Sequence, residues 1–303
     1  MSGLGFSVEH ELGQRLDVRV GDVLIASYVY EPDFPEVESR KPYLHPLRTL
    51  DGALISAFRP WDHPWHKGIE MTSSVLSGQN FWGGKTYRDG EGYLWLDNVG
   101  RMQHERFETV EASADEVIVR ETLSWITAAG ERWIDEERTL RFHGADAKEG
   151  VWILDFATEL RNVRGQVIEM GSATTLGRPN AGYTGLFWRG PRSWTGGEIF
   201  AADGRGGEEM MGEQSPWLAI TGRHDDIDGG GTVLVFAGVS SADVPIKWFV
   251  RSQPFAAINP SPSFDQEVVI SPDASLRLSH RIVIANRMWT RNELDARAAT
   301  YAL

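Results

Sequence analysis

Three of the chain's eight histidines fall between residues 45 and 66, in Tyr43-Leu-His45-Pro-Leu-Arg48 and Trp61-Asp62-His63-Pro-Trp65-His66-Lys-Gly68. Imidazole exchanges its proton near neutral pH and must be hydrated, hydrogen-bonded or ligated, so such a gathering marks where chemistry is to be sought. Pro64 fixes its own φ and pushes His63 towards an extended conformation, which lets His63 and His66 converge. With Asp62 and Glu70 close in sequence, and His45 and His104 on neighbouring segments, two chemistries are open. One is general acid/base catalysis on a sugar ring by a histidine and a carboxylate. The other is a divalent-metal site with His45, His63 and His66 as ligands; no cofactor is otherwise required. His10, His143, His224 and His280 are expected to be hydrogen-bonded packing.

Twelve tryptophans add a second signal, and Trp61, Trp65, Trp82, Trp95, Trp188 and Trp194 stand beside polar residues. A flat indole packs on the apolar face of a sugar and offers one directional N–H, so a carbohydrate ligand fits. A third group runs from Glu169, Thr174-Thr175, Arg178 and Asn180 to Gly185-Leu-Phe187-Trp188-Arg189-Gly190. An arginine between glycine and aromatics is a clamp for a hydroxyl-rich or carboxylate-bearing ligand. Trp248-Phe-Val-Arg251-Ser-Gln-Pro254 and the proline-framed Asn259-Pro-Ser-Pro-Ser-Phe264 supply further polar groups. Arg189 and Arg251 also have the alternative of pairing with acidic side chains.

Composition excludes several classes. With no cysteine, the chain holds no disulfide, thiolate zinc site, iron–sulfur cluster or cysteine nucleophile. A net charge of −13 opposes binding to a phosphate backbone. No apolar run nears the roughly 18–20 residues that cross a bilayer, and the first ten residues lack a secretory pattern, so a cytoplasmic protein is expected. Gly-x-Gly-x-x-Gly, P-loop, Gly-x-Ser-x-Gly and His-Glu-x-x-His motifs are all missing.

The elements that must position these residues read as strands. Period-two alternation runs through Leu16, Val18 and Val20, and through Leu276, Leu278, His280, Ile282 and Ile284. Turn signals predict hairpins between Arg15–Val20 and Val23–Tyr30, Val117–Ile126 and Arg132–Phe142, and Trp217–Thr221 and Thr232–Val239. From Arg40 to Phe107 long ordered loops are expected, with strands only around Ile69–Leu76 and Tyr93–Val99. Gly204–Gly212 reads as a flexible surface loop, and Thr290-Arg-Asn-Glu293 as a capping box ahead of a helix to Tyr301. Glu136 and Arg138 share a strand face with Ile134, Leu140 and Phe142, which predicts either a wet concave cleft or an ion pair at the rim of an edge strand. The fold class expected is all-β, a large antiparallel sandwich forming one domain over residues 1–303, with long loops and a short C-terminal helix.

Arg40-Lys-Pro-Tyr-Leu-His45-Pro-Leu-Arg48, Arg59-Pro-Trp-Asp62-His63-Pro-Trp-His66-Lys-Gly68, Asn80-Phe-Trp82-Gly83, Pro245-Ile-Lys-Trp248 and Asn259-Pro-Ser-Pro-Ser-Phe264 together resemble the bacterial family labelled methane oxygenase PmoA. The label does not suit this chain, because a membrane methane monooxygenase subunit needs transmembrane helices. The resemblance implies a sandwich similar to the galactose-mutarotase superfamily and a setting among sugar-catabolic genes with sugar oxidoreductases. It carries over His45, Arg48, Asp62, His63, His66, Glu70, Trp82, His104 and Arg189. The family's block has a third histidine where this chain has Trp65, which thins any metal cage.

The leading expectation is an enzyme acting on a sugar or oxidised glycoside. His63 or His66 serves as acid or base with Asp62 or Glu70 as partner, and Arg48 or Arg189 stabilises charge on oxygen. His45, Arg48, Trp82, His104, Arg189 and Arg251 are the substrate-binding candidates, with a small-molecule carbohydrate as the partner rather than nucleic acid or membrane. A non-catalytic carbohydrate-binding protein and a His-ligated metal enzyme are the alternatives.

Overall fold

The computed structural model describes residues 5–302. Two eight-stranded antiparallel sheets face each other. The first runs, in spatial order, Phe6–Glu11, Arg15–Val20, Val23–Val29, Tyr43–Leu47, Ile69–Thr72, Gly185–Arg189, Ala257–Ser261 and Lys247–Arg251. The second runs Glu198–Ala201, Trp217–Arg223, Gly230–Ser240, Ser275–Ala285, Val151–Asn162, Arg132–Asp146, Glu116–Ile126 and Arg101–Ala112. Leu16, Val18 and Val20 of the first sheet and Val117, Val119, Leu154 and Ile282 of the second belong to one buried cluster, so the all-β sandwich is what the alternation required. The three expected hairpins pair in register, with Val18 opposite Ala26, Val119 opposite Leu140 and Ile220 opposite Val233.

The outer face of the second sheet is covered by the helix Arg291–Tyr301, whose Leu294 and Ala298 pack with Trp217, Phe236, Val283 and Trp289. Its start is the expected capping box: Thr290 accepts from Glu293 N, and Glu293 Oε2 accepts from Thr290 N at 2.9 Å. Among the described residues no helix is long and apolar enough to cross a membrane.

Three expectations are corrected. Glu136 and Arg138 occupy neither a wet cleft nor a rim; they lie between the sheets, 1% and 2% exposed, with a two-pronged ion pair at 2.7 and 2.9 Å. Tyr28, from the other sheet, accepts from Arg138 Nη1 at 3.0 Å and donates to Glu121, while Trp125 Nε1 and Thr158 Oγ1 donate to Glu136. Every charge there has partners, which is what makes its burial tolerable. Between Arg40 and Phe107, where strands are expected only around Ile69–Leu76 and Tyr93–Val99, the chain also forms Tyr43–Leu47 and begins Arg101–Ala112. Ile69–Leu76 is broken into Ile69–Thr72 and Val75–Leu76, and of Tyr93–Val99 only Tyr93 and Leu94 join a strand, Gly92–Leu94, paired with Thr86–Arg88, while Val99 bridges Asn80. Gly204–Gly212 contains a helical turn, Glu208–Met210, pinned where Glu208 Oε1 accepts from the backbone and hydroxyl of Ser252 at 2.7 Å.

A histidine-floored aromatic cleft

The centre of the first sheet is buried on both faces. Ile69, Met71, Leu186, Trp188, Trp248 and Val250 point into the inter-sheet core, so the alternate residues Glu70, Phe187, Arg189, Phe249 and Arg251 go to the opposite side. There Phe187 and Phe249 join Trp82, Phe255 and Phe264 in a separate apolar cluster. Above it opens a cleft of about 390 Å³ walled by Trp65, Trp82, Tyr93, Trp95, Tyr183, Phe187, Phe249 and Phe255, with His63, His66, Lys85, Arg178 and Arg251 as its polar groups.

Two consecutive turns present the histidines. His63 N donates to Pro60 O at 2.9 Å and His66 N to His63 O at 3.0 Å, and Arg59 N closes the loop on His66 O at 2.9 Å. The loop is anchored from outside by the Arg59 guanidinium, which grips Glu38 with two bonds at 3.0 and 2.6 Å. As the sequence predicts, the imidazoles converge: the rings stack with centroids 4.7 Å apart and planes 14° from parallel.

Each ring has a different support. Arg189 Nη1 lies 2.8 Å from His66 Nδ1. A guanidinium only donates, so Nδ1 carries the lone pair and the proton of His66 sits on Nε2, which is buried and has no protein partner. Burial, then His63 and Arg189, hold His66 well below the usual histidine range, so it stays neutral. His63 instead has Asp62 Oδ2 3.1 Å from its Nδ1, off the line of a well-formed hydrogen bond. Burial lowers its pKa while Asp62 pulls the other way. Burial alone would raise the Asp62 carboxyl, but Arg189 and His63 outweigh it and hold it below its ordinary value. Asp62 also takes Arg192 Nη2 at 2.7 Å.

Behind this layer lies a buried charge cluster. Glu70 stands 2.7 Å from Lys41 Nζ and accepts from Lys67 N, and Lys41 donates to Trp82 O at 2.8 Å. Lys67 reaches Glu38 at 3.3 Å; burial, with Lys41 beside it, pushes Lys67 down to about 8 against the pull of Glu70 and Glu38. The Trp65 wall depends on glycine: a Cβ on Gly84, at φ +67°, would stand 2.6 Å from the Trp65 indole, and one on Gly83 would stand 2.7 Å from Trp65 Cβ.

Of the residues singled out in the sequence, His63, Trp65, His66, Trp82, Trp95, Arg178 and Arg251 line the cleft. Asp62 and Arg189 stand directly behind the two histidines and fix them. Arg189, 1% exposed and stacked 3.5 Å over Phe255, is therefore a positioning residue and not a ligand clamp. Glu70 is corrected from catalytic partner to holder of Lys41 and the Lys67 backbone, because both its oxygens are spent behind the site. His45 lies outside the cleft: Ser56 Oγ is 2.8 Å from its Nδ1, it stacks on Phe58, and burial with nearby Arg48 pushes it down to about 4. The ligand set His45, His63 and His66 is thus not assembled, and among the described residues no three His, Asp or Glu side chains gather as a metal ion needs. Arg48 closes a turn on Gly52 O at 2.9 Å, and His104 bonds Glu121 at 2.6 Å in the core network, so neither contributes to this cleft. Trp188 and Trp194 are core and Trp61 is a surface residue.

Tyr93, Tyr183, Phe255 and Lys85 escape sequence reasoning. Their segments carry no chemical motif, and the one available signal was aromatic density itself. His10, His143 and His280 are hydrogen-bonded as expected, whereas His224 packs against Trp194 without a side-chain partner.

No curated protein matches the chain. Its sequence does match a family model over residues 15–299, nearly its whole length, and so the chain belongs to DUF6807, a family of unknown function.

Proposed function

We propose that the protein is a carbohydrate-active enzyme that moves a proton on a sugar or oxidised glycoside, at a ring carbon beside a carbonyl or at the anomeric centre, in an epimerase, lyase or hydrolase reaction. The observation that carries this reading is the stacked histidine pair with opposite supports at the floor of an aromatic cleft. His63, with a carboxylate beside Nδ1, offers its Nε2 lone pair as the base, and Asp62 stabilises the imidazolium that results. His66, held neutral with its proton on Nε2, donates to the oxygen on which negative charge develops. The indole and phenyl walls suit the apolar face of a pyranose. A cytoplasmic setting and kinship with the galactose-mutarotase sandwich belong to the same proposal, supported by the cysteine-free composition and the sequence resemblance.

The test is a proton NMR time course in D₂O of the wild type and His63→Ala with a panel of aldoses and 3-keto-glycosides, with and without EDTA. Deuterium entering a ring position, anomer exchange or loss of the glycosidic signal, abolished in His63→Ala, is the expected result. Binding without any such change in the wild type replaces the enzyme with a carbohydrate-binding protein, a role the aromatic walls alone would serve.

A further inference from the structure

The chain has 43 acidic against 30 basic side chains, and its two fully buried arginines, Arg138 and Arg189, are both ion-paired. The lining of the cleft has the opposite balance. Its lining includes Lys85, Arg178 and Arg251 and not one Asp or Glu. Among the described residues none of these three cations has a carboxylate within 4.0 Å. They come from three separate segments, and each is held over an aromatic wall: Lys85 over Trp95 at 5.7 Å, Arg178 over Tyr93 at 4.6 Å and Arg251 over Phe249 at 5.3 Å. Arg178 spends one donor on Tyr93 OH, which in turn meets Tyr183 OH at 2.6 Å. Among the described residues Arg251 spends none on another side chain or a carbonyl. A single unpaired surface cation is ordinary. Three of them around one concave, apolar-walled site whose lining holds no Asp or Glu form a positive field focused on what enters.

We propose that the ligand of this cleft is an acidic sugar, carrying a carboxylate or phosphate oxyanion that Arg178 and Arg251 bind with Lys85 at the rim. The oxyanion is inferred from the cations alone; the sugar half rests on the function proposed above. Arginine presents paired donors to either oxyanion, so the two sources share one chemistry.

Isothermal titration of the full chain with methyl β-glucuronide, glucose 6-phosphate, methyl β-glucoside and phenylacetate tests the two halves separately. The acidic sugars are expected to bind at least about tenfold more tightly than the neutral glycoside, as one charge-assisted contact predicts. That preference should shrink in Arg251→Gln and in Arg178→Gln, and on raising the salt from about 0.01 M to about 0.1 M, where the screening length contracts from about 30 to about 10 Å. Whichever of glucuronide and phosphate binds more tightly identifies the oxyanion. A neutral glycoside bound as tightly as the acidic ones overturns the acidic ligand and leaves the sugar reading standing. Phenylacetate bound in preference to every sugar keeps the anion and overturns the sugar. No binding by any of the four overturns both. The comparison among ligands uses the wild type alone, so it stands even if a variant fails to fold.

Discussion

Arg189 Nη2 lies 3.3 Å from Asp62 Oδ2 while its Nη1 bonds His66, so one guanidinium holds both His66 and the carboxylate partner of His63. Replacing it with methionine removes a cation that depresses His66, and the His66 pKa should rise towards the ordinary histidine value. Turnover of whatever substrate the NMR panel identifies should fall by about 10²–10⁴, the usual worth of a positioned acid/base group. Arg189→Lys keeps the charge but not the planar fork and should recover little. A histidine titration by NMR and a kcat/KM measurement in Arg189→Met that both match the wild type would remove the positioning role.

The pH profile follows from His63. Its pKa is below 6.5 in the fold, and only the neutral ring accepts a proton, so kcat/KM should be level at neutral pH and decline on an acid limb below about 6.5. Asp62 raises that pKa against burial. Asp62→Asn should therefore shift the limb to lower pH as well as reduce the plateau. A limb above pH 7, or one that moves upward in Asp62→Asn, is incompatible with His63 as the base.

Replacing Arg138 with methionine leaves Glu136 charged in a space that is 1% exposed. The expected cost is about 3–5 kcal/mol by urea denaturation, because the carboxylate then pays its desolvation without its partner. The double variant Arg138→Met with Glu136→Leu should regain most of it. Equal losses in the single and double variants would mean that the unpaired charge of Glu136 does not set the cost.

Alternation is legible where one face is wet, whereas the largely buried hairpin of Trp217–Arg223 and Gly230–Ser240 is legible from the turn residues between two apolar runs. Leu16, Val18 and Val20 alternate with Asp17 and Arg19 because that strand has a solvated side, and Thr290 with Glu293 announces its helix through chemistry local to four residues. The strands under the cleft give no such signal: Ile69–Thr72 and Gly185–Arg189 are buried on both faces, so Glu70 and Arg189 sit among apolar neighbours with no alternation to place them. Pro64 between two histidines was enough to foresee their convergence. What the sequence could not show is which long-range partner each would take: His45 goes to Ser56, His104 to Glu121, and Arg189 crosses from residue 189 to residue 66. Tyr93 and Tyr183 meet across 90 residues, and nothing local to either marks the cleft they share.

His280 carries the last expectation, one about stability. It lies within the second sheet, 2% exposed, and its Nδ1–H donates at 2.7 Å to Ala237 O, a carbonyl freed from the ladder by the register shift between Phe236 and Val239. Burial pushes its pKa down to about 4 against the help of that carbonyl. The unfolded chain protonates this histidine near 6.5 and the folded chain only near 4, so between those values the unfolded state binds the extra proton. Its contribution is complete above pH 6.5 and is lost as the pH falls towards 4, amounting to about 2 kcal/mol by pH 5. His280→Leu abolishes that slope and leaves Ala237 O unpaired, at a cost of about 1–3 kcal/mol at pH 7. The variant should start lower and fall less between pH 7 and pH 5 than the wild type. Urea midpoints that drop in parallel for both proteins would show that His280 takes up its proton without unfolding, and that the acid sensitivity comes from other groups.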